Sequence, residues 1–476
     1  MSTDETWQPA RLIPVSGLSS SDEQERRGAS ALLAVMQSVK EYGRAITQKF
    51  GAPAGSIETF IEVPFKLEGV DYRPDGLIRI RRGSRTWVAL VEVKVGRAKL
   101  VESQIKAYLE IARLNGFDAV ITISNEISTM GGLHPLSIDK RLTRKVALHH
   151  ISWSLLHAEA LIERTNRKVA VTEQAWILNE FIRYLEYPKS GAVDFDDMGP
   201  SWVQVRDASV ASTLRANDQA TREVVDRFSQ LTRYVAMYLS AQLGVEVHRV
   251  LSRQDRTNPI AFIQSGAAEL ASSARMKSSI SVPNAVSPID IVADLRAGRI
   301  SCGVILMAPE SGRERTKVSW LLRQLKDAPP DLVITANGPR SRDVGPSLRL
   351  DKINDDEDFL LLSGKFDVRS FSLVMSATAG SKRGQGKGSF VGSVLELVNH
   401  FYEAVVQNLR PWTPPAPKVP PIPSITSAGQ DSPGTSDGDR LDRPYDLATL
   451  SMSPTAEDFR PLVSLQVNDS SSNQSS

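Results

Sequence analysis

Residues 73–96 read RPDGLIRIRRGSRTWVALVEVKVG. Within this stretch, Leu77–Ile80 and Trp87–Val95 are apolar and rich in β-branched residues, which predicts two strands joined by a turn at the intervening glycine. The second run is almost continuously apolar, which indicates a strand buried on both faces. Glu92 and Lys94 nevertheless lie inside it, and burying such charges costs free energy unless they are paired or bound. The stretch therefore predicts a buried hairpin with a charged site.

The sequence around the hairpin predicts the order helix, three strands, helix, strand. Helix signals are apolar residues at three- and four-residue spacing, and strand signals are short runs of Ile, Val and Phe. The predicted elements are helix Ala29–Phe50, strand Ile57–Leu67, helix Ala98–Asn115, strand Asp118–Ile123, and helices near Trp153–Glu163 and Thr172–Tyr187.

The length of 476 residues favours more than one domain. We predict a flexible N-terminus over 1–27, an α/β domain with a helical extension over 28–187, and an acidic linker over 188–221. A second α/β domain of unknown role is predicted over 222–410. Residues 411–476 are rich in Pro and Ser, and such composition predicts a disordered tail.

Several elements are predicted inside the second domain from the same apolar patterns. They are helices Arg222–Leu243, Lys317–Leu325 and Val391–Leu409, and strands Val245–Leu251, Cys302–Met307, Leu332–Ala336, Phe359–Ser363 and Phe371–Ser376.

The composition excludes several classes of protein. Hydrophobic residues make up 41% and charged residues 24%, which is normal for a globular chain. The net charge of +2 is small, so any nucleic-acid contact requires a local basic face. The single cysteine, Cys302, excludes a disulfide within the chain and a cysteine zinc cage. We found no membrane-length apolar run and no secretion signal, so we expect a cytoplasmic protein with no membrane partner.

The alternation of side chains along a strand puts Glu92 and Lys94 on one face. Asp75 starts the neighbouring strand, and a hairpin places it opposite the Glu92 end. Two converging carboxylates can hold Mg²⁺, a hard cation that prefers oxygen ligands. A divalent ion can activate water and polarise a phosphate, and Lys94 can neutralise the charge that develops.

The motif Pro74-Asp75 followed by Glu92-x-Lys94, on the second and third strands of this element order, resembles the PD-(D/E)XK nuclease superfamily. Gln104-x-x-x-Tyr108 on the next helix is similar to the Q-x-x-x-Y feature of its RecB-like branch. The resemblance implies a restriction-endonuclease-like αβββαβ core and a Mg²⁺ or Mn²⁺ cofactor. It also implies hydrolysis of nucleic-acid phosphodiester bonds, with DNA favoured over RNA as the partner.

The resemblance also implies roles for individual residues. Asp75 and Glu92 are the expected metal ligands, with the Val93 carbonyl as a third, and Lys94 is the expected catalytic cation. The family commonly has an acid on its first helix, and this role falls to Glu41, the acid within Ala29–Phe50. Gln104 and Tyr108 are expected to be accessory catalytic residues.

Other interpretations remain open at this point. The sequence Pro74-Asp75-Gly76 is also an ordinary β-turn, and Gln104 and Tyr108 can simply border a packed helix face. A nuclease fold can also persist without activity. The alternative function is therefore a catalytically inactive binding or scaffold protein, in which residues 222–410 recognise a partner protein or a ligand.

Two basic groups in the second region are candidates for nucleic-acid contact, since cations near an aromatic residue suit phosphate contact and base stacking. They are Arg315, Lys317 and Arg323 around Trp320, and Lys382, Arg383 and Lys387. The alternative is a solvated helix face with Trp320 in the core. His149, His150 and His157 lack metal-binding spacing and are interpreted as capping or core residues. Strandedness, sequence preference and oligomeric state are left open.

Overall fold

The first helix begins at a cap that lies ahead of the predicted start. The Ser20 hydroxyl accepts a hydrogen bond from the Glu23 amide at 3.2 Å, which starts helix α1 (Ser21–Ser38). Val39 is extended, so the predicted helix Ala29–Phe50 is broken, and α2 (Lys40–Gln48) follows. The fold described here comes from a computed structural model, which describes residues 11–14, 20–192, 195, 197–340, 343–355, 367–384 and 386–413.

The N-terminal region contains a mixed five-stranded sheet and a separate two-stranded hairpin. The five-stranded sheet consists of β1 (Ser56–Ile61), β4 (Gly76–Arg82), β5 (Arg85–Val93), β6 (Ala119–Ser124) and β7 (Ala147–Ser152). The hairpin β2 (Phe65–Leu67) and β3 (Val70–Tyr72) follows β1, and helix α3 (Glu102–Leu114) connects β5 to β6. The order in the sheet is β1-β4-β5-β6-β7, antiparallel from β1 to β5 and parallel from β5 to β7. The sheet confirms a mixed α/β fold.

Two differences from the predicted strands have local causes. The run Ile57–Leu67 is split, because Glu62 has a positive φ of 48° and turns the chain between β1 and β2. Strand β7 was not predicted, since its middle consists of His149 and His150, which are weak signals for a strand.

The two faces of this sheet pack against different helices. Val91 and Val93 belong to the core that includes residues of α1 and the following helices, whereas Leu90 packs with Ile105 and Tyr108 of α3. Alternation along β5 therefore puts Glu92 on the α3 face of the sheet.

Helices connect the two regions. They are α4 (Trp153–Ile162), α5 (Thr172–Leu185), α6 (Trp202–Val210) and α7 (Gln219–Leu243). The segment 188–221, expected to be a linker, contains α6, and Trp202 and Val205 are buried in the core of the second region. All described residues fall within the unit Met1–Pro414.

The second region is built on a seven-stranded antiparallel sheet in the order β13-β12-β14-β11-β10-β9-β8. Its elements are β8 (His248–Arg249), α8 (Arg253–Thr257), α9 (Pro259–Ser273), β9 (Arg275–Ser281), β10 (Ile289–Asp294), β11 (Arg299–Met307), α10 (Glu314–Gln324), β12 (Val333–Asn337), β13 (Val344–Arg349), α11 (Leu350–Asp355), β14 (Ser370–Thr378) and α12 (Phe390–Ala404). Cys302 and Phe371 are buried in its core.

Some predictions lie outside the described residues. These are the strand Phe359–Ser363, most of the N-terminus 1–27 before Ser20, and the tail from residue 414 onward. Among the helices that the structure does describe, none has the length and apolar character needed to cross a membrane.

Candidate functional site

Three of the predicted site residues meet where the β4–β5 hairpin opens. Gly76 pairs with Val91, so the preceding Asp75 lies beside the end of β5. Asp75 Oδ2 accepts a hydrogen bond from the Val93 amide at 2.7 Å, and Glu92 Oε1 lies 2.9 Å from Lys94 Nζ. The Glu92 side chain is only 2% exposed. The hairpin geometry inferred from the sequence therefore brings Asp75, Glu92 and Lys94 together.

Lys94 is held on both its backbone and its side chain. Its amide donates to Ile123 O at 2.7 Å, which extends the β5–β6 ladder, and its carbonyl accepts from Trp153 Nε1 at 3.0 Å. Its Nζ bridges Glu92 and Glu25, with Glu25 Oε2 at 3.1 Å. The ammonium group is thereby fixed between two carboxylates.

Glu25, which the sequence analysis did not select, is an acid on α1 whose side chain contacts Lys94. Glu41 lies on α2 and forms no ion pair or hydrogen bond with Lys94 or with either strand carboxylate. The expectation for Glu41 rested on a helix beginning near Ala29. The cap at Ser20, followed by acids in the first turn, is the signal that places Glu25 on α1.

Gln104 and Tyr108 form one hydrogen-bonded pair on α3. Gln104 Nε2 donates to Tyr108 Oη at 3.0 Å, and Tyr108 Oη donates to the Arg73 carbonyl at 3.4 Å. The Tyr108 ring also meets Tyr72 edge-on, with centroids 6.3 Å apart. These contacts hold Tyr108 over the sheet face that carries Glu92.

The carboxylates of the site are crowded in a poorly solvated place. Burial raises the pKa of Glu92 to about 7, and the nearby Asp75 carboxylate adds to the rise, while Lys94 and Tyr108 oppose it. Burial likewise raises the pKa of Asp75, against the opposing effects of the Val93 amide and Lys94. Burial lowers the pKa of Lys94, but Glu92 and Glu25 outweigh this effect and the net pKa is raised. The site therefore attracts additional positive charge.

The donor set is compatible with a hard divalent cation. Asp75 and Glu92 supply two converging carboxylates, and Mg²⁺ is commonly bound by one or two carboxylates with water completing its shell. Across the part of the chain that the structure describes, no group of three or more His, Cys, Asp and Glu side chains is arranged to hold a metal. Any metal here would thus depend on two carboxylates, water and a backbone oxygen such as that of Val93.

A neutral polar cluster lies on the same sheet face beside Glu92. Glu92 is in register with Thr122, which is in register with His150. Thr122 Oγ1 lies 2.8 Å from His134 Nε2 and 2.9 Å from His150 Nδ1, and His150 Nε2 lies 2.8 Å from Glu126 O. Burial lowers the pKa of His150 to about 4, so the imidazole is neutral at physiological pH.

An open cavity of about 670 Å³ runs beside α1 and reaches Asp75. Its wall is mainly apolar, with Ala34 and Ile61 as examples, and carries Arg26 and Glu62 at 3.7 Å from each other. The cavity provides an approach to Asp75 from outside the protein.

The predicted basic groups have different environments. Lys317 is 2% exposed, and its Nζ contacts Asp367 Oδ1 at 2.7 Å and Val368 O at 3.0 Å. The expectation that Lys317 contacts nucleic acid is therefore wrong, because its side chain is buried and its ammonium group is already paired with Asp367. Arg315 and Arg323 are exposed on α10, and Lys382, Arg383 and Lys387 are exposed before α12, where Arg383 also pairs with Asp197 at 3.1 Å.

Comparisons of the chain with known proteins do not identify a family. The chain matches no model of a known protein family, no curated protein and no solved structure. The functional interpretation therefore rests on the site itself.

Proposed function

We propose that the protein is a metal-dependent nuclease that hydrolyses nucleic-acid phosphodiester bonds, with DNA as the favoured substrate. The observation that carries this proposal is the convergence of Asp75, Glu92 and Lys94 at the open end of one hairpin. Burial raises the pKa of both carboxylates, and the Asp75 charge adds to the rise at Glu92, so Lys94 and solvent compensate their negative charge only in part. A divalent cation between them would relieve that imbalance.

The surrounding structure supports the resemblance to the PD-(D/E)XK superfamily. The order α1–α2, β1, β4, β5, α3, β6 agrees with the αβββαβ core of a restriction-endonuclease-like fold. Gln104 and Tyr108 lie on the helix expected for them, and we propose that Glu25 takes the role of the acid on the first helix. A cytoplasmic location fits this function and stays a prediction.

The chain's own residues would act in distinct ways. The bound ion would supply Lewis-acid activation of the phosphodiester. Asp75 is oriented by the Val93 amide, and Glu92 by Lys94, so the ligands are preorganised. Lys94 would place its ammonium group beside the metal ligand Glu92, where a phosphate would gain negative charge, and such a fixed charge stabilises a transition state. Tyr108, held by Gln104, limits water on the sheet face beside Glu92.

The decisive experiment combines binding and cleavage. Purified protein should bind Mn²⁺ or Mg²⁺ in calorimetry and cleave single- or double-stranded DNA or RNA with either ion, but not with excess chelator. Wild-type protein that neither binds metal nor cleaves any of these substrates would refute the nuclease function. That result would favour the alternative of an inactive scaffold whose working part is residues 222–410.

A further inference from the structure

A second cavity, far smaller than the one at Asp75, lies among α7, α9 and β9. Its volume is about 220 Å³, and its wall includes Ser229, Arg249, Phe262, Ser265, Glu269 and Lys277. We call it the Arg249 cavity. It lies below the range of about 300–1,000 Å³ that is typical for drug-sized ligands, so an occupant must be small.

Most charges on its wall are already partnered. The partnered groups are Lys277 with Glu269 at 2.6 Å, Arg275 with Asp294 at 2.8 Å, and Asp255 with the Ser252 hydroxyl at 2.6 Å. Arg249 differs, because it forms no ion pair with any residue that the structure describes. The cavity therefore contains a cation without a carboxylate partner.

All hydrogen-bond acceptors of Arg249 are neutral. Its Nη1 donates to Thr129 O at 3.1 Å, to Ser229 O at 2.9 Å and to Ser229 Oγ at 2.5 Å. Its Nε is buried and has no hydrogen-bond partner, and the guanidinium carbon lies 5.4 Å from the Phe262 ring centroid. A buried, unpaired charge with an unused donor is costly unless an anion completes its shell.

A second guanidinium increases the positive potential at this place. Arg233 Nη1 donates to Ser128 O at 2.8 Å and Met130 O at 3.2 Å, again neutral acceptors. Burial, with the charge of Arg233 in addition, lowers the pKa of Arg249 to about 10. The carboxylates of Asp255 and Asp226 oppose this lowering only in part, so positive charge prevails around Arg249.

We propose that the Arg249 cavity binds a small molecule bearing an oxyanion, either a carboxylate or a phosphate. The oxyanion accepts the Nε–H of Arg249, and the body of the ligand packs on the Phe262 ring. Arg249 also bonds the loop after β6 through Thr129, so an occupant orders this loop against α7. The inference does not depend on nuclease activity.

Thermal unfolding of the full chain tests the proposal, with sodium benzoate and inorganic phosphate as probes at constant ionic strength. At least one probe should raise the unfolding temperature saturably by about 1–3 °C, whereas equivalent NaCl should not. A response to benzoate alone assigns a carboxylate ligand, and a response to phosphate alone assigns a phosphate ligand. If neither probe stabilises the protein, the proposal is overturned.

Variants locate the binding. Ser265→Trp fills the mouth of the cavity and should abolish the shift, while Ala268→Trp, exposed on the same helix and away from the cavity wall, should retain it. Lys94→Met should also retain it, which excludes anion binding at the candidate metal site. Arg249→Lys keeps the charge but removes the Nε donor, and should weaken probe binding about tenfold even if Ser265→Trp does not fold. A shift that survives in both cavity variants contradicts the assignment.

Discussion

At the scale of single residues, Lys94 has an unusually constrained position. Its backbone is bonded to β6 and α4, and its Nζ lies between Glu92 and Glu25. Packing of the hydrophobic core does not explain these contacts of the Lys94 side chain, because the neighbouring Val93 and Val95 are the residues that pack in the core. Such constraint is expected where a charge must meet a transition state.

Under the proposed nuclease function, replacing Lys94 by Met should reduce nucleic-acid cleavage by about 10²–10³-fold, because the variant loses the charge that would meet the phosphate and keeps most of the apolar stem. Single-turnover cleavage rates measure this effect. Glu92→Gln is the matched comparison: it weakens metal binding, so added Mn²⁺ should partly restore its rate but not that of Lys94→Met. Equal cleavage by wild type and Lys94→Met would show that the activity comes from elsewhere.

Glu25 and Glu41 offer a pair of helix acids that differ in position. Glu25→Gln removes one of the two carboxylates on Lys94 and should lower cleavage by about 10–100-fold, as for other residues that orient a metal site. Glu41→Gln should leave the rate within about twofold of wild type, on the same principle that only residues in contact with the site orient it. A larger loss from Glu41→Gln than from Glu25→Gln would contradict this assignment.

At the scale of elements, the corner between α1 and α2 depends on a close approach. A Cβ added at Gly43 would lie 2.0 Å from the Met36 carbonyl oxygen, which belongs to the backbone and cannot move away cheaply. Gly43→Ala should therefore destabilise the fold by about 1–3 kcal/mol, measured from denaturant midpoints. Gly131→Ala is the control, because its added Cβ meets nothing within 4 Å and should cost less than about 0.5 kcal/mol. Equal denaturant midpoints for the two variants would contradict the close approach of Gly43 to the Met36 carbonyl.

Strands β6 and β7 are joined by a cluster that requires neutral imidazoles. His150 has a pKa lowered to about 4 by burial, and burial also lowers that of His134. The unfolded chain, with a histidine pKa of about 6.5, binds protons more readily, so stability is complete above that pH and falls as the pH drops from about 6.5 towards 4. Protonation of His150 alone should reduce the free energy of unfolding by about 3 kcal/mol as the pH approaches 4.

Urea unfolding at pH 7.5, 6 and 5 measures this dependence. His150→Gln cannot titrate, so its stability should change less over the same interval than that of wild type. An identical pH dependence in the variant would assign the effect to other groups.

At the scale of the whole molecule, the described residues of the acidic segment 188–200 take part in the packing. The Gly191 carbonyl accepts hydrogen bonds from Gly96 N at 2.8 Å and Asn125 Nδ2 at 2.7 Å, and Met198 is fully buried. Composition alone predicts a linker open to proteases. The contacts instead lead us to expect that limited proteolysis spares 188–200. Rapid cleavage there into two protected fragments would restore the linker interpretation.

The C-terminal residues provide a second test at this scale. Every described element precedes Pro414, and the sequence beyond has no sustained apolar period. A chain ending at Ile425 should therefore unfold within about 1–2 °C of the full-length chain in calorimetry. A large drop would show that the removed residues contribute to the core.

The sequence alone was sufficient for the hairpin and for the juxtaposition of Asp75, Glu92 and Lys94. A period-two pattern around a glycine turn fixes which side chains share a face, and these are local properties. Helix α3 and strand β6 were also predictable from local patterns, α3 from apolar residues at three- and four-residue spacing and β6 from a short continuous apolar run. In contrast, β9 and β10 were missed, because serines and acids on the solvent face of an antiparallel strand weaken the apolar signal.

Only the tertiary structure decided which helix acid meets Lys94, that Lys317 is buried, and that Arg249 borders a cavity without an ion partner. The surroundings of these charges are formed by residues distant along the chain, such as Asp367 for Lys317 and Thr129 for Arg249. Local sequence determines the conformation and direction of a side chain. The solvation and the partners of that side chain depend on how the sheets and helices pack. Residues far apart along the chain bury it and interact with its charge.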